Sequence, residues 1–103
     1  MKTIKIRSQQ LDDETEIRLL ISHPMENGRN RDPGNGELIP AHFIEQLNIL
    51  LNDKIVINLN MAGSIAKNPF FSFRLKNLSS GDKISAEWFD NLQLSDRTDY
   101  LLE

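Results

Sequence analysis

The 103 residues include 39% hydrophobic and 26% charged side chains, an ordinary globular composition with enough apolar material for one core and too little chain for two. A net charge of -3 supplies no broad basic field for a nucleic-acid backbone, and no run approaches the roughly 18 apolar residues of a membrane helix, so neither partner is expected. The absence of cysteine excludes disulfides, thiol nucleophiles, iron–sulfur clusters and cysteine-ligated zinc.

Apolar residues recur at every second position in short runs, which is the period of strands with one buried face. Ile4 and Ile6 begin the series, and Ile17, Leu19 and Ile21 continue it opposite Glu16, Arg18 and Ser22. Leu20 makes that second run apolar on both faces, as in a central or partner-facing strand. The segment Glu26–Glu37 is dominated by Gly, Pro, Asn and Asp and reads as a loop of several turns. A longer run from Leu38 to Leu51 places Phe43, Leu47, Ile49 and Leu51 on one face, with Glu45 interrupting it and a bulge or bend expected near Pro40–His42. Over Ala41–Leu51 a helix competes, since Phe43, Leu47, Leu50 and Leu51 also fit spacings of three and four; the flanking turn signals favour the strand.

Asn52-Asp53 breaks this run from Ile55, Ile57 and Leu59 and signals a two-residue hairpin. Phe71, Phe73 and Leu75 then oppose Ser72, Arg74 and Lys76, and Leu78–Asp82 is the turn leading to Ile84, Ala86 and Trp88. Arg97–Leu101 is the last strand. About seven strands in a chain of this length predict one all-β domain, an immunoglobulin-like or fibronectin-like antiparallel sandwich.

Candidate chemistry is sparse. His23 and His42 each flank a proline-bearing turn, and with Met25 they could form a copper or zinc site; the alternative is a partly buried histidine donating to a backbone carbonyl. Two widely spaced histidines are no metal signature, so neither a metal nor a cofactor is expected. Asp12, Asp13, Glu14 and Glu16 lack the ordered ligand spacing of a calcium loop. Ser22 and His23 are neighbours whose side chains would leave a strand on opposite faces, which is no catalytic pair. Arg29 and Arg31 read as solvated loop cations, and no cluster supplies a nucleophile beside a placed base. Apolar residues in loops, namely Pro24, Met25, Leu38, Ile39, Pro40, Pro69 and Phe70, either cap the core or form a contact surface. By parity Phe70 points away from Phe71 and Phe73, and Phe89 away from Trp88, making both interface candidates.

Leu20–Arg29, containing His-Pro-Met, then Leu38–Ile44, containing Pro-Ala-His-Phe, and Lys67–Phe73, containing Asn-Pro-Phe, together resemble the SoxZ family of sulfur-oxidation proteins. The resemblance extends through Gly81-Asp82-Lys83 and Trp88-Phe89-Asp90 to Asp96, and covers Ile4 to about Asp99. It implies a non-catalytic scaffold subunit that pairs with SoxY, whose cysteine-bearing Gly-rich arm carries thiosulfate-derived sulfur, and that meets the other Sox enzymes transiently. It carries His23, Pro24, Met25, Pro40, His42, Phe43, Asn68, Pro69 and Phe70 over as partner-facing motif residues, beside Phe89 from the periodicity. Alone, such a subunit is expected to self-associate through its uncovered face. Met1–Arg7 alternates charged with apolar residues and lacks the apolar run of an export signal, so the resemblance implies a periplasmic subunit exported with a signal-bearing partner. Where the family commonly turns on a glycine after Asn91, this chain reads Leu92-Gln93-Leu94, and its last hairpin is expected to differ.

Overall fold

The computed structural model describes residues 2–61 and 66–103. They form seven strands: β1 (Ile4–Leu11), β2 (Glu14–Ile21), β3 (Ile44–Leu51), β4 (Lys54–Asn60), β5 (Phe70–Lys76), β6 (Lys83–Asp90) and β7 (Ser95–Leu101). All pairings are antiparallel, in one sheet of order β1-β2-β5 and another of order β4-β3-β6-β7, the expected sandwich. Ala41–Leu51 contains no helix, because its apolar side chains serve a strand between β4 and β6.

The core forms where the alternating residues of the two sheets meet. Ile4, Ile6, Ile17, Leu19 and Ile21 from one sheet pack on Ile44, Leu47, Ile49, Ile84, Ala86 and Trp88 from the other. Phe71, Phe73 and Leu75 face inward along β5 but stay half-buried, since β5 is an edge strand. The opposite margin is closed, with the Ser8 hydroxyl hydrogen-bonded to the Tyr100 hydroxyl at 2.9 Å between β1 and β7.

The expected faces of β3 and β4 are corrected by two bulges. Across β3 and β6, Ile44 opposes Asp90 while Gln46 opposes Phe89, so Glu45 is the extra residue. The bulge is there and not at Pro40–His42; it shifts the parity so that Ile44, and not Phe43, is the fully buried member of the Leu47–Ile49 face. Leu50 and Asn48 are also buried, on the outer side of this central strand. Across β3 and β4, Ile49 opposes Ile57 while Leu50 opposes Ile55, leaving Val56 extra. Ile55 is therefore turned out, 51% exposed, rather than inward with Ile57 and Leu59.

The Asn52-Asp53 hairpin forms as expected, with both residues at positive φ (50° and 69°), the signature of a type I′ turn that matches strand twist. Residues 26–42 fold into a narrow ribbon, with Glu26 and His42 exchanging backbone hydrogen bonds at its base and Ile39 N–H bonding Asn30 C=O further out. The side chains of Asn27, Asp32 and Asn35 accept the N–H two residues ahead and shape its turns. Gly28 holds φ +83° with the position of a Cβ lying 3.3 Å from the Ala41 Cβ. Gly28→Ala adds left-handed strain to a tight contact, and urea titration should show a loss of about 1–2 kcal/mol. An unshifted midpoint would contradict this placement.

Candidate functional site

The loops gather most of the singled-out residues at one end of the sandwich, where β2 and β6 finish and β3, β5 and β7 begin. His23 follows the end of β2, His42 closes the ribbon just before β3, and Asp90 ends β6. His23 and His42 ring centroids lie 4.6 Å apart, and the His23 ring meets the Trp88 indole edge-on at 5.0 Å.

Both histidines converge on one carboxylate oxygen. Asp90 Oδ2 accepts Nε2–H of His23 at 3.0 Å and of His42 at 2.7 Å. Its other oxygen, Oδ1, accepts the backbone N–H groups of Leu92 and Leu94 at 3.0 and 2.9 Å. The Asp90 side chain is entirely buried, that of His23 nearly so, and that of His42 is 26% exposed. Burial alone raises the Asp90 pKa, but the hydrogen bonds from His23, Leu94, His42 and Leu92 outweigh it and hold the carboxyl below its ordinary range. The His23 pKa is lowered, first by burial and then by His42, against the opposing pull of Asp90. The site is thus a buried carboxylate satisfied by four donors, with His23 kept neutral.

His23, His42 and Asp90 are also the group among the described residues that could share a metal ion, their ligand atoms lying within 4.8 Å of one another. The hydrogen bonding does not fit one. Met25 N–H donates to His23 Nδ1 at 3.1 Å, so the ring proton sits on Nε2, the atom a metal would need bare. Moving that proton to Nδ1 would set two N–H groups against each other. Met25 is likewise committed: it is buried at φ +49°, and its sulfur accepts the Ile44 N–H at 3.4 Å. The histidine donates to a carboxylate rather than to the backbone carbonyl expected, and the cluster braces the end of one sheet against the other.

The remaining motif residues divide by role. Asn68, at φ +52°, exchanges two hydrogen bonds with His23, its Oδ1 accepting His23 N–H and its own N–H reaching His23 C=O, each at 3.0 Å. Pro69 is buried, and its C=O accepts Ile21 N–H. Phe43 is half-buried against the core, with its N–H on Asn91 Oδ1. Pro24 and Pro40 are exposed, as are Phe70 and Phe89, on opposite outer faces of the sandwich. Asp90 and Asn91 are the site residues that periodicity misses, since a lone acid at a strand end carries no spacing signal. The Leu92-Gln93-Leu94 turn wraps on Asp90, with Gln93 at φ +64° in the left-handed conformation a glycine adopts at no cost.

No curated protein matches the sequence. Among solved structures the chain is similar to the crystal structure of hypothetical protein PH1083 from Pyrococcus horikoshii OT3, at 15% identity and a TM-score of 0.67, over 99% of this chain and 88% of that one. At that identity the likeness concerns the fold alone. The family model described as Sulphur oxidation protein SoxZ matches residues 4–100, across every strand but the final residue of β7 and including the His23, His42 and Asp90 brace, so this chain belongs to the SoxZ family.

Proposed function

We propose that the protein is the scaffold subunit of a SoxYZ sulfur carrier, pairing with a SoxY chain whose C-terminal cysteine holds thiosulfate-derived sulfur. The family match over residues 4–100 carries this reading. The chemistry agrees with it: covalent carriage of sulfane sulfur needs a thiol, and this chain has no cysteine, so the sulfur must ride on another chain. Its histidines support the same division of labour, because both are spent on Asp90 and, among the described residues, neither ring is hydrogen-bonded to a hydroxyl. The subunit does not itself catalyse, works in the periplasm after export with its signal-bearing partner, and meets the other Sox enzymes through the carrier. Without SoxY it self-associates, because large apolar side chains such as Phe70, Phe89, Leu92 and Leu94 stand exposed.

Co-expression with the SoxY encoded beside it, followed by size exclusion and mass measurement, should give a stable complex containing both chains. Elution of this chain apart from SoxY sinks the proposal.

A further inference from the structure

The outer face of the β1-β2-β5 sheet is built in rows. The strand register sets Lys5, Leu20 and Phe70 side by side, then Arg7, Arg18 and Ser72, then Gln9, Glu16 and Arg74, with Glu14 beside Lys76 beyond. Five cations thus stand with two carboxylates, a surplus of three positive charges on a chain whose net charge is -3. Both carboxylates are already engaged, Glu16 with Arg18 and Glu14 with Arg74. Lys5, Arg7 and Lys76 make no ion pair among the described residues.

Two features of this face suit it to a partner. Arg7 stands directly across from Arg18, whose own charge is met by Glu16, and Arg7 is left without a counter-ion among the described residues. Beside them Leu20 and Phe70, also cross-strand neighbours, are 45% and 60% exposed. Together Lys5, Arg7, Arg18, Leu20 and Phe70 line a groove of about 300 Å³. An exposed aromatic side chain in a groove shared with arginines has the composition of an interface centre, and the unpaired Lys5 and Arg7 specify the partner's charge. The face also includes β5, the edge strand of its sheet among the described residues.

We infer that this face is the surface on which SoxY docks, through an acidic patch of SoxY that neutralises Lys5 and Arg7 and an apolar side chain that seats against Leu20 and Phe70. The inference rests on the SoxYZ reading above and names the surface that reading leaves open. A partner carboxylate beside Lys5 and Arg7 supplies the counter-charge that this face lacks, and burial of Phe70 removes exposed apolar area from water.

The test is calorimetric titration of the purified protein with its SoxY. Wild type should bind, and binding should weaken about tenfold or more between low and moderate salt. Lys5→Glu with Arg7→Glu should weaken it at least about tenfold, and so should Phe70→Ala, a change at an exposed position that leaves the fold intact. Lys54→Glu, on the edge strand of the other sheet, should bind like wild type. If SoxY binds wild type and the folded Phe70→Ala and charge-reversed variants equally well, the docking face is overturned while the pairing stands. If SoxY does not bind wild type at all, the pairing fails and takes the docking face with it.

Discussion

Asp90→Ala should destabilise the protein by about 3–5 kcal/mol at neutral pH, read from urea unfolding followed by the fluorescence of the single tryptophan. The magnitude follows from what the carboxylate leaves behind. Truncation strands Nε2–H of His23, which is buried, as well as the Leu92 and Leu94 N–H groups that shape the last turn. Each unsatisfied buried donor costs about 1–3 kcal/mol, and the partly exposed His42 recovers some of its loss from water. For a chain of this size the thermal midpoint should fall by roughly 12 °C or more. Asp90→Asn should recover only part of the loss, because its amide supplies one acceptor oxygen and turns an N–H group towards donors. A variant within about 1 kcal/mol of wild type would show that the brace does not hold the loops.

The same cluster sets the acid sensitivity. The folded pKa of His23 lies below its ordinary 6.5, so the unfolded chain takes up that proton first as pH falls. Stability should therefore decline from about pH 6.5 downward until the folded histidine also protonates. Asp90 works in a lower window. Its folded pKa lies below the ordinary 3.8, so its contribution is complete above that value and is lost as pH falls from there through the folded pKa. Asp90→Asn should flatten the lower limb of the curve of stability against pH.

Trp88→Ala should cost about 3–5 kcal/mol, measured by circular dichroism since the change removes the fluorophore. Trp88 is 2% exposed and packs where both sheets and the loop end meet. Its Nε1–H donates to Thr3 Oγ1 at 2.9 Å, and Thr3 in turn donates from both its N–H and its hydroxyl to Asp96 Oδ2. The indole thereby ties the start of β1 to β6 and β7 while its edge contact steadies the His23 ring. Trp88→Phe should cost less, about 1–2 kcal/mol, because most of the volume remains and the lost N–H leaves only the Thr3 hydroxyl to find another donor. Equal losses in the two variants would assign the effect to the hydrogen bond rather than to packing.

Much of the fold was legible from residue order because strand burial has a period of two and turns have their own chemistry. Ile17, Leu19 and Ile21, and likewise Ile84, Ala86 and Trp88, face the core as their alternation predicts, with Phe70 and Phe89 turned out. Asn52-Asp53 adopts the hairpin turn that its composition predicts. The absence of cysteine is likewise a property of the sequence alone.

Tertiary structure decided the rest. Glu45 and Val56 each add one residue against a partner strand, and a bulge reverses the parity of the residues on one side of it relative to those on the other, which turns Ile44 in for Phe43 and Ile55 out. His23, His42 and Asp90 are 19 and 48 positions apart along the chain and meet because Glu26 pairs with His42 and β3 pairs with β6. The basic groove likewise arises from register, which sets Arg7 against Arg18 and Leu20 against Phe70. Alternation along one strand determines which side chains share a face. Only hydrogen-bonded register between strands distant in sequence determines which of them touch, and in this protein the brace and the docking face both depend on that register.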